Sequence, residues 1–227
     1  MRHTRARGKQ PQGVKRCAAQ WGREAEKYAL HVKGMETVGT DPRGQLSWGL
    51  AYATSNRGAC HMRAYANFEY GGLTNEEMLR IAGTTGIQER FSYKGKGKAV
   101  AYLENLRTIG DVIGMYHFLT SGELGFQEVL APLYEAATDI SMTPEDLFKV
   151  GERIYNIERL FNLKFGLTPS DDTLPSRYLN KPVPEGPTKG KVCLLEPMLS
   201  EYYLARQWDV TTGFPLKKKI QDSFQCT

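Results

Sequence analysis

The densest run of chemistry-bearing side chains is Asn56-Arg57-Gly58-Ala59-Cys60-His61-Met62-Arg63. Its polar density and its glycine mark a loop with unusual backbone angles. His61 is the residue there that can give and take protons near neutral pH, although a lone loop histidine more often caps or stitches backbone. Arg63 supplies a permanent cation that suits an anionic group, and equally suits a surface salt bridge. Arg57, and Arg43 in the turn Asp41-Pro42-Arg43-Gly44, read as loop organisers that bind carboxylates or carbonyls. Further on, Asp111-x-x-Gly114-Met115 places a carboxylate acceptor close to a glycine. On the residues alone this could be an exposed helix Asp followed by a packing Gly.

Thiolate chemistry is poorly provided for. Cys17, Cys60, Cys193 and Cys226 are never paired at metal-site spacing, and no C-x-x-C occurs. Cys60 reads as a small buried apolar residue, and the other three carry no assignment. A reduced, cytoplasmic protein is expected.

At 227 residues, with 41% apolar and 24% charged residues, the chain is long enough for one large or two small domains with real cores. No apolar stretch approaches the roughly 20 residues of a membrane span, so no membrane partner is expected. The net charge of +5 is concentrated near the amino terminus, where Arg2, Arg5, Arg7, Lys9, Lys15 and Arg16 face no acid before Glu24. Residues 1–12 read as a disordered basic tail without an apolar run behind it, and so not as a secretory signal. The rest is near neutral, which argues against nucleic acid as a partner.

The elements that must position these residues are helical. Gly13 to Val32 shows a stripe of Val14, Cys17, Ala18, Trp21, Ala25, Tyr28 and Ala29 and predicts a helix ended by Lys33-Gly34. Leu46 to Ser55 predicts a helix of small residues that lets another backbone or a ligand come close. Thr74, with Glu77 three residues later, opens a short helix to Gly83 by the capping-box pattern. Lys98 to Phe118 predicts a long helix whose stripe ends in Tyr116 or His117, with Gly110 and Gly114 marking a close approach or a break. Phe126 to Thr138 predicts a helix that Pro132 either bends or occupies in its first turn. Thr143-Pro144-Glu145-Asp146 is a helix start of cap, proline and acids. The helix it opens has a predicted core face of Leu147, Val150, Ile154, Ile157, Leu160, Phe161 and Leu163, and Gly166 stops it. Leu167 to Lys191 is a Pro/Gly/Ser-rich loop longer than compact domains usually carry. Helices from Pro197 to Trp208 and from Pro215 to Phe224 close the chain. Their Trp and Tyr residues are expected in the core, and Lys217 to Lys219 on a solvated face. The expected class is all-α and multi-helical over residues 13–227, with a possible sub-boundary near residues 34–45.

Several strings, in order, resemble the aldehyde ferredoxin oxidoreductase family. They include His31-Val32-Lys33-Gly34-Met35-Glu36, Asp41-Pro42-Arg43-Gly44 and Gly49 through His61. They continue with Asp111-x-x-Gly114-Met115, Glu152 through Asn162, Asp171-Asp172-Thr173-Leu174-Pro175, Met198-Leu199-x-Glu201-Tyr202-Tyr203 and Trp208-Asp209. Each string is weak alone; the ordered set covers almost the whole chain and is specific. The resemblance implies the carboxy-terminal helical region of an enzyme that oxidises aldehydes to carboxylic acids and passes electrons through an iron-sulfur cluster to ferredoxin. It implies a tungsten or molybdenum bis-pterin (molybdopterin-type) cofactor and a 4Fe-4S cluster, held largely by an amino-terminal half or another subunit.

In that setting His61 is the implied proton shuttle at the catalytic site, and Arg63 faces a pterin phosphate or the anionic metal centre. Asp111, Gly114 and Met115 line the second pterin. The residue after Met115 would be the last cluster cysteine, and here it is Tyr116. A phenol does not replace an iron-sulfur thiolate. A cluster-less paralogue, a three-cysteine cluster with another ligand, and a decayed fragment remain open. So does a non-catalytic structural or assembly partner, and beyond it a binding module reusing the pterin-facing pocket. The isolated chain is expected to be inactive. Helices shaped to pack on an absent domain would expose apolar surface and could form homo-oligomers.

Overall fold

The computed structural model describes residues 13–22, 24–69, 73–117 and 126–224. The basic tail and Cys226 lie outside them. Helix α1 spans Gly13–Trp21, and its first amide, that of Val14, is taken by the Glu36 carboxylate at 2.7 Å. The helix ends eleven residues before the expected end at Val32, because Gly22 turns left-handed (φ 58°) and donates back to the Ala18 carbonyl. Only Ala18 of the stripe is buried, and Trp21 (75%) and Tyr28 (72%) stand in solvent. A 3-10 turn, Ala25–Tyr28, then leads into the short strand β1, His31–Val32, which pairs antiparallel with β2, Met35–Glu36. Lys33 (φ 50°) and Gly34 (φ 91°) form the tight hairpin turn between them, where the sequence suggested a helix end.

Helix α2, Leu46–Thr54, is buried at every position. Helix α3, Asn75–Ala82, carries the predicted Thr74/Glu77 capping box and ends at left-handed Gly83. Helix α4, Lys96–Val112, is the central element and packs on both α6 and α8. It stops at Val112, so Tyr116 and His117 lie beyond the helix; Gly114 (φ 71°) is the break. Close approaches occur at two other glycines. A Cβ on Gly97 would lie 2.5 Å from the Tyr202 amide nitrogen, and one on Gly151 would lie 2.3 Å from the Asn105 carbonyl oxygen.

Helix α5, Phe126–Thr138, runs through Pro132. Helix α6, Pro144–Lys164, opens with a Thr143/Asp146 capping box and stops before left-handed Gly166. Its buried face is Leu147, Gly151, Tyr155, Asn156 and Arg159, whereas Ile157 and Phe161 of the predicted face are exposed. The rotation has a physical cause: Arg159 is drawn inward, where Asp172 (2.8 Å) and the Tyr203 hydroxyl (2.8 Å) receive its guanidinium. The long loop is ordered by a 3-10 turn, Pro169–Asp171, and a short helix α7, Ser176–Asn180. Helices α8, Leu195–Arg206, and α9, Lys217–Phe224, complete the chain. Tyr202, Tyr203 and Trp208 are core residues as expected. Lys219 departs from its predicted solvated face by pairing with Glu152 at 2.6 Å.

Among the described residues the regular elements are thus all helices apart from one two-stranded hairpin, and the class is all-α. No helix among them is long and apolar enough to cross a membrane. The core is unusually ionic. Arg206 reaches Glu104 (2.6 Å) and the Asn105 side chain, and Tyr202 donates to the same Glu104 carboxylate (2.6 Å). Lys96 pairs with Glu69 at 2.6 Å, fully out of solvent. Each of these charges has an opposite partner, as burial at low dielectric demands.

Candidate functional site

The loop after α2 is held from both ends. Lys33 donates to the Ala53 carbonyl (2.5 Å) and the Ser55 carbonyl (3.1 Å), and it pairs with Asp172 at 2.7 Å. A cation thereby caps the carbonyl end of α2, where the helix dipole favours positive charge. Burial pulls the Lys33 ammonium below its usual range, and Asp172 opposes that shift. Asn56 donates to the Tyr155 carbonyl at 3.1 Å, and Asn162 donates to the Asn56 carbonyl at 2.8 Å, so the loop is pinned to α6. Gly58 (φ 104°) lies so close to the hairpin that a Cβ there would meet the Val32 carbonyl oxygen at 2.6 Å.

Within this frame His61 stacks on Trp48 of α2, with ring centres 5.7 Å apart and planes 13° from parallel. Its carbonyl accepts from the Tyr65 amide at 2.9 Å. Partial burial, and then the nearby Arg57 charge, lower its affinity for a proton. The imidazole is therefore neutral at pH 7 and able to accept one. Arg57 itself donates to the Cys60 sulfur at 3.0 Å, and Cys60 is buried. Arg43 clamps Asp41 with two nitrogens and donates to the Lys181 carbonyl at 2.7 Å, a structural role.

Arg63 points into the protein. Only 5% of its side chain is exposed, and it meets Asp111 at 2.6 Å and Glu158 at 2.5 Å. It is a buried cation shared by two carboxylates and not a surface salt bridge. Asp111 sits at the end of α4 with 48% of its side chain in solvent. The chain then turns: Gly114 donates to the Asp111 carbonyl (3.3 Å) and Met115 to the Gly110 carbonyl (2.9 Å). A Cβ on Gly114 would have no neighbour within 4 Å, so the chain is open to solvent at Gly114. Met115 packs partly against the core, and Tyr116 is 67% exposed.

Sequence reasoning missed the aromatic bridge that joins the two segments. Trp48 packs on Tyr65 (5.9 Å), Tyr65 meets the His117 ring edge-on (5.2 Å), and Arg107 lies over Tyr65 at 5.6 Å. Arg107 also donates to the His117 carbonyl at 3.1 Å. Desolvation, with Arg107 next, pushes the His117 imidazole down to about 4. No spacing rule links residues 48, 65, 107 and 117. The one available signal was the pair of aromatics Trp48 and Tyr52 inside an otherwise small-residue helix.

The described residues contain no group of three or more His, Cys, Asp or Glu that could hold a metal ion. The chemistry they offer is a neutral, ring-stacked imidazole and, joined to its loop through Arg63, a carboxylate followed by a bare backbone turn.

Residues 8–222 match the model of the family described as aldehyde ferredoxin oxidoreductase, domains 2 and 3. The tungsten-containing aldehyde ferredoxin oxidoreductase of Pyrococcus furiosus is 38% identical over 212 residues, covering 93% of this chain and 33% of that protein. The Thermococcus kodakarensis protein of the same name is 37% identical, covering 91% and 32%. A more distant relative, the WOR-like subunit of an aliphatic sulfonate oxidoreductase from Pyrococcus furiosus, is 26% identical over 88% of the chain and 28% of its own length. The chain spans about a third of the length of the curated relatives it matches. Among solved structures, the active site complex BamBC of benzoyl coenzyme A reductase with 1,5-dienoyl-CoA superposes with a TM-score of 0.66. That match covers 92% of this chain and 35% of that one at 19% identity, a likeness of fold.

Proposed function

We propose, from the premise that this chain belongs to the aldehyde ferredoxin oxidoreductase family as its domains 2 and 3, that it forms the helical wall of an oxidoreductase converting aldehydes to carboxylic acids in the cytoplasm. It works together with the cofactor-binding region that makes up the rest of the longer relatives. The observation that carries this reading is the Arg63 bridge, which ties the His61 loop to the Asp111–Met115 turn.

Oxidising an aldehyde with water yields the acid, two electrons and two protons. A tungsten–pterin group, when bound, supplies the two-electron redox chemistry. This chain's part is to hold and move protons. His61, kept neutral by burial and by Arg57, accepts one at an imidazole nitrogen, and Trp48 fixes the plane of its ring. The fit to a pterin is good on two counts. Asp111 presents a half-exposed carboxylate able to accept from ring and amino N–H donors, and the open space at Gly114 admits a flat ligand edge. Arg63, committed to Asp111 and Glu158, positions the Asp111 carboxylate, and it sets an unvarying positive charge behind the face.

The residues do not fit a cluster ligand at position 116. The Tyr116 phenol lacks the thiolate that iron-sulfur clusters use, and no step is assigned through it. This mismatch favours a second reading, a structural or assembly partner that holds no cofactor. Electrons in the first reading pass to ferredoxin, the acceptor in the relatives' name.

The test is co-expression with a family amino-terminal region in tungstate-grown cells, followed by elemental mass spectrometry and an aldehyde-dependent dye-reduction assay. Stoichiometric tungsten and aldehyde oxidation that falls on His61→Asn replacement would support the enzyme. A stable complex without tungsten or molybdenum would overturn it in favour of the structural partner. Tungsten without iron would keep the cofactor and remove the cluster route.

A further inference from the structure

A cavity of about 630 Å³ opens between α1, the 3-10 turn, strand β1 and the stretch from Ser170 to Lys181. This volume lies in the range that holds small organic ligands. Its basic wall residues are Lys15, Lys27, Lys33, Arg177 and Lys181, and its acids are Glu26 and Asp171. Some of these charges are already committed. Lys33 pairs with Asp172, and Lys27 pairs with Glu24 at 2.5 Å. Asp171 accepts from both the amide and the hydroxyl of Thr168, neutral donors that leave its negative charge in place. What remains is Lys15, Arg177 and Lys181 against Glu26 and Asp171, a surplus of one positive charge around one concavity.

The cations are placed in advance of any ligand. Arg177 and Lys181 are four residues apart, so they share a side of α7 and its end. Tyr178 between them is buried, with its hydroxyl 3.1 Å from that of Thr37 and its carbonyl accepting from the Cys193 amide at 2.9 Å. Arg43 donates to the Lys181 carbonyl and fixes the end of α7. The Arg177 guanidinium lies over the Tyr28 ring at 5.5 Å. The Lys15 side chain lies against Gly34, its Cδ 3.7 Å from where a Cβ would stand. Like charges converging on a concave wall attract anions by focusing the field, and positions set beforehand reduce the entropy lost on binding.

We propose that this cavity binds a small dianion, one carrying either two carboxylates or a phosphoryl group. The ligand bridges Arg177 and Lys181 on one wall and Lys15 on the other.

The test is titration calorimetry on the full 227-residue chain with succinate, with inorganic phosphate, and with acetate as a single-charge control. The expected result is saturable one-to-one binding of succinate or phosphate at millimolar concentration or below, with acetate about tenfold weaker or more. Saturation by succinate alone identifies a dicarboxylate pocket, and by phosphate alone a phosphoryl pocket. Arg177→Gln combined with Lys181→Gln weakens the dianion about tenfold while the unfolding temperature is unchanged, and Lys15→Gln, on a separate element, weakens it independently. No saturable binding of either dianion, acetate binding as well as they do, or undiminished binding in both variants would overturn the proposal.

Discussion

Arg63 and Asp111 are separated by 48 positions in the chain and meet at 2.6 Å. The guanidinium comes from the loop after α2, the carboxylate from the end of α4, and Glu158 of α6 closes the group from a third direction. Three elements therefore set the position of the Asp111 carboxylate, and a fault in any one of them moves it.

Replacing Arg63 with Met leaves two carboxylates facing each other without a cation. Because both are partly solvated, the expected loss is about 2 kcal/mol, read from urea unfolding of the purified chain. Arg63→Lys keeps the charge but not the two-handed geometry, so it recovers only part of that loss. A loss of less than a few tenths of a kcal/mol in Arg63→Met would show that the bridge does not hold the loop.

Arg206 and Glu104 form a different kind of pair, wholly inside the protein. Arg206→Met strands the Glu104 carboxylate and is expected to cost about 3–5 kcal/mol. Adding Glu104→Gln removes the stranded charge and should restore a large part of that stability, giving a strong coupling in a double-mutant cycle. Additive effects of the two replacements would contradict the buried network.

Two glycines at the ends of α4 should respond differently to a methyl group. In Gly97→Ala the new carbon would lie 2.5 Å from the Tyr202 amide nitrogen and 2.7 Å from the Glu201 carbonyl carbon, so α4 and α8 must separate at about 1–3 kcal/mol. Gly114→Ala meets open space and pays only for a positive φ, about 1 kcal/mol. Equal thermal shifts for the two variants would count against the packing of α4 on α8. If the Gly114 turn receives a pterin edge, Gly114→Ala also lowers tungsten content in the co-expressed complex without a matching loss of stability.

Histidine ionisation sets a pH slope. His117 is pushed down to about 4 in the folded protein, chiefly by desolvation and then by Arg107, and His31 and His61 are lowered as well. The unfolded chain binds those protons first, near pH 6.5. Stability is therefore fully present above about 6.5 and falls as the pH drops toward 4. His117→Asn should flatten this slope, measured as the urea midpoint against pH. The capped carboxylates of Glu77, Asp146 and Asp171, held below their usual range by their Thr partners, lose their contribution only at more acid pH. A slope unchanged by His117→Asn would refute the assignment.

Much of this protein was decided by local chemistry. The Thr74/Glu77 and Thr143/Asp146 helix starts, Pro132 within α5 and Gly166 beyond α6 were legible because caps, prolines and glycines act on the residues beside them. So was the loop that bears His61, and the ordered motifs pointed to the family that the comparisons support. Three features depended on the tertiary structure. Helix α1 ends at Trp21, and its apparent stripe continues into a 3-10 turn, because periodicity does not reveal whether a partner surface exists. Helix α6 turns Arg159 inward and Phe161 outward, because a buried Asp172 thirteen residues on outweighs the hydrophobic pattern. The union of His61's loop with Asp111, and the aromatic bridge from Trp48 to His117, join segments far apart in the chain. Sequence named the groups able to do chemistry, but their distances follow from how α2, α4 and α6 pack, which no local rule encodes.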